Sequence, residues 1–96
     1  TNGEKVILGN KFITVIHTPG HSPGGVCYYS GNNVFVGDTL FAGSIGRTDL
    51  PGGSYDTLIN SIKENLFPLG DSTIVYPGHG PSTTIRNEKE HNPFLK

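Results

Sequence analysis

Three side chains able to bind a metal ion occupy three glycine-rich breaks in the chain. His21 lies in Thr18-Pro19-Gly20-His21-Ser22-Pro23-Gly24, Asp38 directly follows Val34-Phe35-Val36-Gly37, and His79 stands between Gly78 and Gly80. Two imidazoles and a carboxylate suit Zn²⁺ or Fe²⁺, and the flanking glycines let the backbone pack tightly beside an ion. Each residue also has an ordinary reading. A histidine in a Pro-Gly loop is commonly just exposed, and an aspartate after a strand commonly caps a helix or shapes a turn. A Gly-His-Gly turn needs no metal. Spacing alone leaves both readings open. His17 and His91 read as structural or surface residues, and Cys27 as core packing in mid-strand.

The elements that must position these residues are short. Lys5 to Ile16 reads as a hairpin, with apolar runs at 6–8 and 12–16 and a Gly9-Asn10 turn suited to positive φ. Val26-Cys27-Tyr28-Tyr29, Val34-Phe35-Val36-Gly37 and Thr73-Ile74-Val75-Tyr76 read as further strands. Their continuous apolar character predicts strands covered on both faces. Ala42 to Gly53 has no usable period and reads as a long shaped loop. Ser54 then caps a helix over 55–66, whose Tyr55, Leu58, Ile59, Ile62 and Leu66 form one apolar stripe ended by Pro68 and Gly70. Ser82 or Thr83 starts a second, mostly polar helix over about 83–90 that Pro93 ends. The helices should pack on one face of a mixed α/β sheet. All three ligand-type residues fall just past strand ends, where ligands gather in sheets flanked by helices.

With 96 residues, the chain has room for one domain at most. Lys+Arg 7 against Asp+Glu 8 provides no electrostatic footprint for nucleic acid or an anionic membrane surface. No apolar run approaches the ~20 residues of a membrane span, and no secretory apolar stretch opens the chain. One cysteine excludes an intramolecular disulfide and a multi-cysteine zinc site. The expectation is a cytoplasmic protein with neither nucleic-acid nor membrane partners.

The joint pattern is more specific than any single residue. Thr-Pro-Gly-His at 18–21, Gly-Asp-Thr-Leu-Phe at 37–41 and Pro-Gly-His-Gly at 77–80, in this order, resemble the later motifs of the metallo-β-lactamase-fold hydrolases. Gly43 to Gly53 and the closing Asn92-Pro93-Phe94-Leu95 resemble the glyoxalase II (hydroxyacylglutathione hydrolase) branch. The resemblance implies that His21 belongs to a first metal site, that Asp38 bridges two metals, and that His79 belongs to the second. It implies Zn²⁺, with Fe or Mn as alternatives, and gives Arg47 the part of meeting a substrate carboxylate. Thr48 and Asp49 replace an aromatic of the glutathione-recognising pattern, and Pro81 replaces a tyrosine.

The family's His-x-His-x-Asp-His motif does not occur in these residues. Residues 1–96 are therefore expected to be the C-terminal portion of a metallo-β-lactamase-type αβ/βα sandwich. The resemblance implies a metal-bound hydroxide attacking a thioester, a glutathione thioester foremost, with two ions ~3.5–4 Å apart. The isolated chain is expected to be inactive and to associate with the missing N-terminal half or with itself. Two other readings stand beside this one. Gly46-Arg47-Thr48-Asp49 also resembles the persulfide dioxygenases, which hold one iron and use O₂. The third is a non-catalytic half-domain that assembles with a partner.

Overall fold

A computed structural model describes residues 4–8, 11–22 and 24–95. Among them, strands β1 (Glu4–Leu8), β2 (Lys11–His17), β3 (Val26–Ser30) and β4 (Asn33–Gly37) follow one another as an antiparallel meander. β5 (Leu40–Phe41) and β6 (Ser44–Ile45) form a separate small hairpin. After helix α1 (Tyr55–Ser61), β7 (Ile74–Pro77) pairs parallel to β4, and β8 (Thr83–Thr84) leads into helix α2 (Ile85–His91). The main sheet is mixed, in the order β1-β2-β3-β4-β7-β8. The expected Gly9-Asn10 turn lies outside the described residues.

The pairing directions decide where the chemistry goes. β2 and β4 both run antiparallel to β3, so they share one direction, and β7 is parallel to β4. The carboxyl ends of β2, β4 and β7 therefore lie along one edge of the sheet. The loops that leave these ends carry His21, Asp38 and His79.

Strand alternation puts Cys27, Val34, Val36 and Val75 on one face, fully or almost fully buried. Leu58, Ile62 and Leu66 from the α1 segment and Ile85 from α2 join them in a single cluster, so both helices cover the same face, as expected. Completely burying a leucine or isoleucine contributes about 1.5–3 kcal/mol, so this stripe supplies much of the helix's hold. The Ser54 hydroxyl caps α1 by accepting from the Thr57 amide at 3.3 Å. Beyond Ser61 the expected 55–66 helix widens: over Ile62–Leu66 it bonds i to i+5, with Phe67 N–H donating to Ile62 O.

Four expectations need correction, the first being that Ser44–Ile45, inside the stretch expected to be loop, forms strand β6. The opposite sheet face is not covered. Tyr28, Phe35 and Tyr76 stand in register across β3, β4 and β7, each more than a third exposed, and the Phe35 and Tyr76 rings stack at 5.2 Å. Tyr55, at the start of the helical stripe, is also exposed. The second helix begins at Ile85 rather than 83, because Thr83 and Thr84 first pair with β7 and Thr84 then caps α2 through its hydroxyl.

Candidate metal centre

Each ligand-type residue is held by backbone features that its neighbours dictate. The loop after β2 is clamped to α1: Ser54 N–H donates to Gly20 O at 2.7 Å, and the Ser61 hydroxyl donates to Pro19 O at 2.7 Å. Gly20 has φ 137°, and a Cβ there would lie 2.3 Å from Leu58 Cα, so only glycine permits this approach. After β4, Gly37 adopts φ 54° and turns the chain out of the strand immediately before Asp38. The Thr18 and Thr39 hydroxyls, 3.2 Å apart, tie these two loops together. After β7, Gly78 N–H donates to Gly37 O at 2.8 Å, which brings the neighbouring His79 beside Asp38.

The three side chains meet at Asp38. His79 Nδ1 lies 3.3 Å from Asp38 Oδ1, and His21 Nε2 lies 3.9 Å from Asp38 Oδ2. Two ligands at tetrahedral angles on Zn²⁺, each bonded at about 2.0–2.1 Å, would be roughly 3.3 Å apart. The His79–Asp38 spacing matches that value, the His21–Asp38 spacing of 3.9 Å is longer, and each uses a different carboxylate oxygen. His21 Nδ1 lies 2.8 Å from Arg47 O. A carbonyl can only accept, so Nδ1 carries a proton, and Nε2, the nitrogen that faces Asp38, is the one left for a metal, the arrangement usual in metal-ligating histidines.

Among the described residues, no group of three His, Cys, Asp or Glu side chains surrounds one point in a way that could hold an ion. The donors instead form two pairs, His21 with Asp38 and Asp38 with His79. If each pair met an ion, Asp38 would be common to the two.

An open cleft of about 330 Å³ lies over the site, lined by His21, Asp38, Phe41, Gly46, Arg47 and His79. Phe41 and Gly46 were not singled out as site residues from the sequence, although both lie in stretches that carried the resemblance. The Phe41 ring is 6.1 Å from that of His79. Arg47 touches the site through its carbonyl. Its Nε and Nη2 donate to the two oxygens of Asp49 at 2.8 and 3.0 Å, and this holds the Asp49 carboxyl below its ordinary range. Cys27 lies in the core, where burial pushes its thiol pKa up against hydrogen bonds to Thr18 and Thr39. No helix among the described residues is long and apolar enough to cross a membrane.

Residues 1–79 match the metallo-beta-lactamase superfamily, and the chain belongs to that superfamily. Among curated proteins it is 48% identical over 95 residues to the hydroxyacylglutathione hydrolase GloC of Haemophilus influenzae, covering 97% of this chain and 45% of GloC. Among solved structures it resembles BLEG-1, a B3 metallo-beta-lactamase, at TM-score 0.94 and 51% identity, over all of this chain and 47% of that one. It resembles ETHE1 from Myxococcus xanthus at TM-score 0.92 and 40% identity, over 97% of this chain and 43% of that one. A di-iron-bound form of TTHA1623 aligns at TM-score 0.88 and 47% identity, over 99% of this chain and 46% of that one. The chain thus spans about half the length of the relatives it matches.

Proposed function

We propose that this chain is the C-terminal portion of a cytoplasmic thioester hydrolase of the glyoxalase II type, acting on a glutathione thioester with two Zn²⁺ ions. The observation that carries this reading is the division of Asp38, with one carboxylate oxygen facing His21 and the other facing His79. The likeness to GloC supports the substrate class, and the likeness to a di-iron form supports a two-metal centre while leaving iron as an alternative to zinc.

Bound cations would supply Lewis acidity, which acidifies water and polarises a carbonyl. The chain's own residues prepare for that chemistry. Asp38 would be the ligand common to both ions, with one oxygen toward each histidine. His21 donates from Nδ1 to Arg47 O, which fixes the ring so that Nε2 would face an ion. Phe41 lines the cleft beside the exposed His79 ring. The exposed Arg47 guanidinium would receive the acidic tail of the substrate in exchange for Asp49.

On this reading, half of each ligand shell lies outside the chain, and the exposed Tyr28–Phe35–Tyr76 row is where a second half or another copy would pack. Joining the chain to the portion of GloC that it does not match should give metal-dependent hydrolysis of S-D-lactoylglutathione, with near-background rates from the chain alone. A second reading rests on the Gly46-Arg47-Thr48-Asp49 stretch, which resembles persulfide dioxygenases. Metal content and O₂ uptake of the same assembly separate the two. One iron with O₂ consumption and no thioester hydrolysis would replace the hydrolase reading.

A further inference from the structure

Glu88 and Asn92 lie four residues apart on the α2 segment and are both completely buried. A carboxylate in a short polar helix ordinarily faces water. Here Glu88 accepts four hydrogen bonds: Oε1 from Gly43 N–H and Asn92 Nδ2, each at 2.9 Å, and Oε2 from the Thr83 hydroxyl at 2.6 Å and Asn87 Nδ2 at 2.9 Å. That number fills the lone-pair capacity of a carboxylate. Asn92 Nδ2 also donates to Ser44 O at 3.0 Å, and its Oδ1 accepts from Phe94 N–H at 2.9 Å. The two side chains together grip a donor and an acceptor at the tip of the β5–β6 hairpin.

That hairpin leads directly to the metal centre. Leu40 pairs with Ile45, Gly46 N–H donates to Thr39 O at 3.1 Å, and the next carbonyl, Arg47 O, accepts the His21 Nδ1 proton. We propose that Glu88 and Asn92 are positioning residues for the metal centre, which fix the His21 tautomer and ring orientation by anchoring the β5–β6 hairpin. Neither touches the reacting groups. Their importance to catalysis rests on the reading of His21 as a ligand, whereas the anchoring itself does not.

The test is ¹⁵N NMR of the histidine rings in the metal-free chain at about pH 8, above the ordinary imidazole pKa of roughly 6.5. Wild type should show His21 as a single Nδ1–H tautomer. In Glu88→Ala the hairpin loses its anchor, so His21 should collapse to tautomer-averaged shifts. Exchange of the Gly46 amide should accelerate about tenfold or more. Glu88→Gln keeps an oxygen acceptor for Gly43 and should retain the Nδ1–H form. Val75→Ala opens the core without removing any of the hydrogen bonds that hold the hairpin and should leave His21 unchanged, which separates anchoring from a general loss of stability. Asn92→Ala leaves Glu88 three of its donors and decides the matter if Glu88→Ala does not fold; it should give a mixed tautomer population. A single Nδ1–H tautomer in folded Glu88→Ala or Asn92→Ala, or an equal change in Val75→Ala, would overturn the proposal. Failure of thioester hydrolysis would leave this readout untouched, so the two readings fail separately.

Discussion

Replacing Gly46 by alanine should damage both stability and metal binding, by an amount that follows from the packing. A Cβ at position 46 would stand 1.8 Å from the Asp38 carbonyl oxygen and 3.4 Å from His21 Nδ1. Reaching ordinary contact would require the two segments to separate by about 1.5 Å. Hydrogen bonds hold both sides: Gly46 N–H to Thr39 O at 3.1 Å and His21 Nδ1 to Arg47 O at 2.8 Å. A movement of that size takes either one past the usual limit of about 3.2 Å. Overpacking costs about 1–3 kcal/mol, and a lost hydrogen bond adds roughly 1 kcal/mol. Gly46→Ala should therefore lose about 2–4 kcal/mol, which at 4–8 °C per kcal/mol lowers Tm by at least 8 °C. Thermal unfolding followed by circular dichroism measures this, and zinc competition titration on the assembled protein should show a parallel loss of affinity. Gly24→Ala is the control, because nothing lies within 4 Å of its Cβ position. It should change stability by less than about 1 kcal/mol. A Gly46→Ala protein with wild-type Tm and wild-type zinc affinity would refute the packing argument.

Cys27→Ala should cost about 1 kcal/mol at neutral pH while leaving metal binding intact, as checked by urea unfolding and zinc titration. Burial raises the Cys27 pKa in the folded state, so the thiol's contribution is complete below its ordinary value and is lost as pH rises above it. The alanine variant should accordingly flatten the alkaline fall in stability. Glu88 behaves in the opposite sense. Burial works to raise its pKa, but hydrogen bonds from Thr83, Gly43, Asn92 and Asn87 outweigh burial and lower it. Its contribution is present above the ordinary carboxyl range and is lost as pH falls through the lowered value, so Glu88→Gln should flatten the acid limb of a stability–pH curve. The exposed aromatic row predicts self-association of the isolated chain. Sedimentation should show a concentration-dependent oligomer that the double substitution Phe35→Ser and Tyr76→Ser reduces to monomer, and an unchanged distribution would argue against that surface.

The main strands and the first helix were legible because their signals are local. The Leu58, Ile62 and Leu66 stripe and the Ser54 cap predict α1, and the apolar runs predict β2, β3, β4 and β7. The widened turn over Ile62–Leu66 left no trace in the pattern, since an i, i+4 stripe looks the same through one extra residue per turn. The exposed face is hard to read because Tyr28, Phe35 and Tyr76 are large, strand-favouring side chains that continue the runs of valine and cysteine with which they alternate. Composition could not say which face the helices take. Ala42 to Gly53 reads as loop and hides β6, because two residues per strand are too few to show a period. His21, Asp38 and His79 were legible as a set through the three motifs around them. The pairing directions that bring them to one edge are long-range and were not. Glu88 is hidden because α2 reads as polar, and Asn92 stands in the sequence only as part of the closing Asn92-Pro93-Phe94-Leu95 stretch; the i, i+4 Glu–Asn spacing beside Ile85 and Leu95 was the available signal.

The most direct test of the central claim is zinc stoichiometry in the chain joined to its complementary half, with one ligand removed at a time. Asp38 is proposed to serve both ions, and His21 and His79 one each. Wild type should hold two Zn²⁺, His21→Ala and His79→Ala should each retain one tightly bound ion, and Asp38→Ala should lose tight binding of both along with thioester hydrolysis. Asp38→Ala that still binds two zinc ions, or a histidine variant that loses both while Asp38→Ala loses one, would contradict the account.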